Sequence, residues 1–169
     1  MQKYIFSEYN LEFPSLFEEE KTKIKNIFKD STVEHVGSTA VPNLGGKGIL
    51  DIAVGVLKSQ FYEAKEALEK CGYEYREVAS TEGRLFFRID YPYNGNVRRV
   101  HLHLMEFNCD EWKKTVGFRD YLRNNEYAKE EYAKIKREGV DVANGDGEKY
   151  RKHKHEFILD ILKKSHVLQ

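Results

Sequence analysis

The chain has 169 residues, with 28 Lys and Arg against 28 Asp and Glu, so its formal charge is zero. That balance, which holds block by block along the chain, excludes a uniformly basic nucleic-acid coat and an acidic disordered tail. A 40% hydrophobic content with 11 Tyr and 10 Phe supplies one sizeable core, read here as a single domain over 1–169.

No run of about 18 apolar residues is present, so no segment reads as a membrane span. The stretch Met1 to Glu8 lacks the apolar core and small-residue cleavage site of a secretory signal. Only Cys71 and Cys109 occur, too few for a disulfide framework and too far apart for a metal-binding pair, which points to a reducing cytoplasm.

Leu16, Phe17, Ile24, Ile27 and Phe28 recur at near-helical spacing and predict an amphipathic helix over 15–29, opening just after Pro14. A short strand, 33–36, leads into 37–48, which holds four of the twelve glycines and one charge, Lys47. A strand over 49–57, a helix over 61–71, and strands over 84–91 and 97–106 follow, the last two joined at 92–96 by a hairpin that its Asn94-Gly95 signals. From Asp110 the apolar spacing is helical, interrupted by the polar stretch 139–147. Strands first and helices last predict an α+β (mixed α/β) domain with a C-terminal helical part.

Side chains alternate across a strand, so turning the apolar set inward identifies what shares the other face. With Leu50, Ile52, Val54 and Val56 inward, Asp51 lies outward. With Leu85, Phe87 and Ile89 inward, Arg88 and Asp90 lie outward, and with Val100, Leu102 and Leu104 inward, Arg99, His101 and His103 do. If these strands are neighbours, the polar residues converge on one face. One wet side of an antiparallel sheet would give the same alternation. Imidazoles beside a carboxylate also suit a divalent metal, a general acid–base pair, or a phosphate pocket using the arginines.

The glycine segment permits two readings. It is a structural turn, or its backbone N–H groups approach a phosphate, with the hydroxyls of Ser38 and Thr39 and the charge of Lys47 assisting. It is not a Walker A loop, since Gly46-Lys47 is followed by Gly48.

The run His35-Val36-Gly37-Ser38-Thr39-Ala40-Val41-Pro42-Asn43-Leu44, then Lys47, then Ile49-Leu50-Asp51-Ile52, resembles the signature of the GrpB family. Val100-His101-Leu102-His103-Leu104, the Trp112 helix, Phe118-Arg119-Asp120-Tyr121-Leu122-Arg123 and the Tyr132 to Lys136 spacing are similar to that family too. The resemblance implies a nucleotidyltransferase-like mixed sheet with helices on one side and the polar face open. It further implies that Gly37-Ser38 holds nucleotide phosphates at a helix start, and that Asp51, after twelve intervening residues, is the first of two metal-holding carboxylates. The second place holds Ala53, which argues against a standard two-metal mechanism. A single divalent metal, Mg²⁺ or Mn²⁺, on Asp51 with His101 and His103 stays compatible, and imidazole ligands favour Mn²⁺, Zn²⁺ or Fe²⁺ over Mg²⁺.

Two functions are therefore expected. One is nucleotidyl transfer to, or binding of, a phosphorylated small molecule, with Gly37, Ser38, Thr39, Lys47 and Arg88 at the phosphates and Asp51, His101 and His103 as catalytic or metal-binding groups. The other is a nucleotide- or partner-binding module that keeps the fold without catalysis, for which Ala53 is the evidence. The partner in the first is a nucleotide or another anionic small molecule, with no membrane and no nucleic acid. Trp112 and the Tyr and Phe stripes of the C-terminal helices read as core, Arg119-Asp120 as a helix-surface pair or a lean over the sheet, and the basic run Tyr150, Lys152, His153, Lys154 and His155 as a solvated face. Intact-mass measurement with and without reductant should give the same value, and a two-dalton difference would show that Cys71 and Cys109 are bonded.

Overall fold

The computed structural model describes residues 6–165, so the stretch read for a leader lies in part, at residues 1–5, outside the described residues. Helix α1 (Phe13–Ile27) starts with Pro14 in its first turn, where a missing N–H is no loss. It is followed by β1 (Thr32–Val36), β2 (Leu50–Val56), α2 (Phe61–Lys70), β3 (Glu74–Tyr75), β4 (Arg84–Tyr93), β5 (Asn96–Glu106), α3 (Asp110–Asn124), α4 (Glu126–Ala143) and α5 (Gly147–Lys164). The strands form one five-stranded sheet in the order β1-β2-β5-β4-β3, parallel only between β2 and β5. The fold is thus a mixed α+β one.

Three boundaries differ from the sequence reading. The hairpin loop is not 92–96: the strands run on through Pro92, paired with Val97, and Asn94 and Gly95, at φ 48° and 75°, close a two-residue turn. Pro92 is tolerated because β3, the other neighbour of β4, pairs only as far as Arg88, so no ladder bond is lost on that side. The two-residue edge strand β3 was too short to show an alternation. In the C-terminal part, α4 continues to Ala143, and Asn144 ends it in the left-handed conformation. Asp146 then caps α5 by accepting from the N–H groups of Glu148 and Lys149. Gly139 is helical rather than a break, and lies where a side chain would press on Tyr150 and His153 of α5.

Leu50, Ile52, Val54, Val56, Val100, Leu102, Leu104 and Phe87 bury one face of the sheet under α1 and α2. The opposite face is not left wholly open. Trp112 of α3 covers Val36, Ala53 and Met105, and Val41 and Leu44 of the glycine segment pack with Leu122, Tyr132 and Ile161 of the three C-terminal helices. Cys71 and Cys109 are both free, and the Cys109 Sγ accepts from the Trp112 N–H at the start of α3. Among the described residues no helix is long and apolar enough to cross a membrane. Leu102→Ala, at the buried centre of the sheet, should lower the unfolding free energy by about 2–5 kcal/mol in urea titration, against roughly 0.5 kcal/mol or less for the exposed Val78→Ala.

Candidate functional site

Strand register assembles the polar face. Asp51 pairs with His101 across the parallel β2/β5 ladder, and Arg88 pairs with His101 across β4/β5, so all three project to the same side. His103, two residues on, pairs with Phe86 and Ala53 and shares that side. The Asp51 Oδ1 lies 3.3 Å from His101 Nδ1 and 3.6 Å from His103 Nε2. The Phe86 ring meets both imidazoles edge-on, with centroids 4.9 and 5.2 Å away. Burial by itself would raise the Asp51 pKa, but hydrogen bonding and charge from the two histidines outweigh it and hold the carboxyl well below its usual range. His103 moves down, because burial outweighs the pull of Asp51.

The turn after β1 lies over this carboxylate. Gly37 sits at φ +70°, and a Cβ there would fall 2.5 Å from the Asp51 Oδ2, so glycine is required twice over. The following helical turn is one turn of 3-10 helix, Ser38–Ala40. It is too short for an appreciable macrodipole, so the expected binding of phosphate by a helix start finds no support here. Thr39 is also removed from the expected phosphate ligands. It is buried, and its Oγ1 donates to the Ile49 carbonyl at 3.1 Å while sitting 2.9 Å from His35 Nε2. Because the single Thr39 hydrogen goes to Ile49, His35 must carry its own proton on Nε2. His35 stacks on Phe17 at 4.8 Å, and burial pulls its pKa down to about 4 against the charge of Asp51, with Arg123 and Arg119 adding to the fall.

Arg88 is on the expected face, but its guanidinium is bound to Asp90, which also takes a two-pronged contact from Arg99 at 2.9 and 3.0 Å. It is therefore engaged with a carboxylate rather than presented to a phosphate. Arg119 leans over the sheet, the second of its two readings, while keeping its contact with Asp120 at 2.8 Å: it donates to Glu34 at 2.6 Å and to the His35 carbonyl at 2.8 Å, fastening α3 to β1. Arg123 similarly donates to the Ala40 carbonyl at 2.8 Å.

Lys47 is half-buried, its Nζ 4.5 Å from the centroid of the Tyr150 ring. Two residues that the sequence reading did not place in the site join it. Lys136 of α4 is only 3% exposed and donates to the Gly45 carbonyl. A Cβ on Gly46 would fall 2.5 Å from its Nζ and 2.7 Å from Ser38 Oγ, so that glycine marks where the ammonium and the hydroxyl meet. Lys154 of α5 lies over the same Tyr150 ring as Lys47, at 4.3 Å. Burial first, then repulsion from Lys154 and Lys47, lowers the Lys136 pKa to about 7 against the pull of Asp51. Burial and the charges of Lys47 and Arg151 likewise lower Lys154 to about 8, again against Asp51. Lys47 is lowered by burial, with Asp51 opposing. Lys154 thus leaves the solvated face assigned to its run. The Tyr132 to Lys136 spacing carried a trace of Lys136, whereas nothing local separates Lys154 from its exposed neighbours.

A resident metal does not fit this set. Both ring nitrogens address one oxygen of Asp51, three ammoniums compete for the same carboxylate, and among the described residues no group of three or more His, Cys, Asp or Glu is arranged to hold a metal ion. The second carboxylate position is filled by Ala53, fully buried with Val36, Met105 and Trp112. The reading of Asp51, His101 and His103 as metal ligands is accordingly not carried further.

The family model described as GrpB protein matches residues 4–164. The chain belongs to the GrpB family. The glutamate-rich protein GrpB of Alkalihalophilus pseudofirmus is 30% identical over 152 residues, 87% of each chain. A UPF0157 protein of Halalkalibacterium halodurans is 32% identical over 95% of this chain and 81% of its own. The crystal structure of the conserved protein GrpB from Enterococcus faecalis superposes with a TM-score of 0.81 at 32% identity, covering 95% of this chain and 96% of that one. Cid1 poly(U) polymerase aligns with a TM-score of 0.44 at 12% identity, over 76% of this chain and 43% of that one, too slight a likeness to bear on chemistry.

The buried His35 makes stability in this GrpB protein depend on pH. Its folded pKa, about 4, lies below the ordinary 6.5, so between these values the unfolded chain binds more protons and stability falls as the pH is lowered. The loss, up to about 3 kcal/mol at about 1.4 kcal/mol per unit, should appear as a pH-dependent difference between the natural protein and His35→Gln in urea titrations from pH 7 to 4. A difference that does not change with pH would place the proton on folded His35.

Proposed function

We propose that this GrpB protein binds a phosphorylated, nucleotide-like small molecule between the polar face of the sheet and helices α4 and α5. The observation that supports this reading is the grouping of Lys47 and Lys154 on the ring of Tyr150 with Lys136, which meets Ser38 at Gly46, all three in the field of Asp51. A buried ammonium such as that of Lys136, 3% exposed and without a paired carboxylate among the described residues, is unfavourable unless an anion compensates it. Ser38 supplies a hydroxyl to the same place.

The adjacent Asp51 with His101 and His103 is suited to moving a proton. A carboxylate that receives the Nδ1–H of His101 leaves Nε2 as the base, able to take the proton of an acceptor hydroxyl as its oxygen bonds to the α-phosphorus of a nucleoside triphosphate and the bond to the departing pyrophosphate breaks. Nucleotidyl transfer to a hydroxyl of a small-molecule acceptor is the reaction this arrangement supports best. A second reading, a binding module without catalysis, is favoured by one observation: the position of a second carboxylate is taken by Ala53, sealed beneath Trp112.

Asp51→Asn separates the two. It removes a negative charge from among the lysines, so the shift in melting temperature given by a panel of nucleoside phosphates should be kept or enlarged. If the protein is a transferase, turnover should fall about 100-fold or more with the loss of the acid–base pair. A natural protein that is stabilised by the ligand yet transfers nothing to any acceptor supports the binding module. A panel that shifts neither protein would remove the phosphorylated-ligand reading altogether.

A further inference from the structure

The lysines differ from an ordinary basic surface in where they come from and what they touch. Lys136 reaches from α4 to the Gly45 carbonyl and the edge of Ser38, while Lys47 and Lys154, from the glycine segment and α5, share the ring of Tyr150, itself buried. Among the described residues, neither Lys136 nor Lys154 is ion-paired with a carboxylate. The charges facing Lys136 are Asp51 of β2, Lys47 of the loop and Lys154 of α5; those facing Lys154 are Lys47, Asp51 and Arg151. The rings of Tyr132 and Tyr150 complete the wall, and the charge of Arg99 of β5 also acts on Lys47.

We propose that the ligand of this site is a linear di- or triphosphate, gripped at its phosphates by Lys136 and Lys154 together with Lys47, these ammoniums doing what a resident divalent cation would otherwise do. The proposal rests on the phosphorylated-ligand reading above and narrows it. Lys136 and Lys154, neither of them paired with a carboxylate among the described residues, are compensated more fully by a chain of several charged phosphates than by a single phosphate group. The grouping has two parts, Lys136 with Ser38 and Lys47 with Lys154. One phosphate fills one part, and a chain of phosphates reaches both. Lysine contacts phosphate as a point charge and needs no bidentate geometry, so the chain slides into place without a template of planar donors. Asp51 is a poor cation ligand here, since its oxygen already faces two imidazoles and lies in the field of the lysines.

The lowered pKa values of Lys136 and Lys154 supply a readout independent of affinity. Near neutral pH the ligand-free site is only partly protonated at Lys136, and an arriving polyanion restores the charge, so binding should draw protons from solution.

The test is isothermal titration of tripolyphosphate, pyrophosphate and orthophosphate into the full chain at pH 7.5 with EDTA, in two buffers of different ionisation enthalpy. The natural protein should bind tripolyphosphate and pyrophosphate at least tenfold more tightly than orthophosphate, with a buffer-dependent heat that reports proton uptake. Lys136→Met and Lys154→Met should each lose at least tenfold for tripolyphosphate and less than threefold for orthophosphate, while Lys136→Arg keeps the binding without the proton uptake. Since the ammoniums repel one another, the methionine variants should melt no lower than the natural protein when no ligand is present. If Lys136→Met does not fold, Lys154→Met carries the comparison. ATP titrated alongside identifies the source of the chain: binding tighter than tripolyphosphate indicates a nucleotide, equal binding an inorganic polyphosphate, and both agree with the clamp. Binding that appears only when Mg²⁺ is added, or methionine variants that bind as the natural protein does, would overturn the clamp and leave the phosphorylated-ligand reading standing. An absence of binding by every phosphate, with and without Mg²⁺, would overturn both.

Discussion

The carboxylate of Asp51 is the one negative charge around which the polar half of this molecule is arranged. Positive or protonatable groups from five separate elements lie in its field: His35 from β1, His101 and His103 from β5, Lys47 from the glycine segment, Lys136 from α4 and Lys154 from α5. Without it the ammoniums would face only one another in a partly dehydrated space. With it they are held, but not neutralised.

Keeping Asp51 in place takes structure on both sides of the sheet. Beneath it, the alternate residues Leu50 and Ile52 are anchored in the core with α1 and α2, which fixes β2 in depth and rotation. Above it, the backbone at Gly37 passes so close that no side chain fits. The path of that turn is set by contacts with no direct part in binding: His35 to Thr39, Thr39 to Ile49, and Arg119 and Arg123 to the carbonyls of His35 and Ala40. Residues that read as site residues or surface residues are here the supports of the turn. The glycine segment is thus a packed unit, its Val41 and Leu44 inserted among α3, α4 and α5.

The same packing accounts for the departure at residue 53. Ala53 points to the polar face but lies under Trp112, which with Val36 and Met105 closes that end of the face to water. A carboxylate there would be buried among apolar groups. Residue 53 lies in the seat of α3, so the small side chain at 53 and the tryptophan at 112 form one packing solution.

The sequence alone carried the sheet and its two faces, because alternation with a period of two is local: Asp51, Arg88, His101 and His103 could be assigned to one side from their own strands. It also carried the Asn94-Gly95 turn and the family, whose motif run is contiguous. It did not carry how the polar side chains would be engaged. Thr39 and Arg88 sit where expected, yet hydrogen bonds to Ile49 and Asp90 occupy them, and these depend on distances across elements that no local spacing records. Lys136 and Lys154 were hidden for the same reason. On isolated helices a lysine in a polar run belongs to the solvent face; only the packing of α4 and α5 against the glycine segment, with Gly46 and Gly139 allowing close approach, buries Lys136 and draws Lys154 onto the Tyr150 ring. Burial is a property of the assembled layers, and the shifted charges that define this site exist only after assembly.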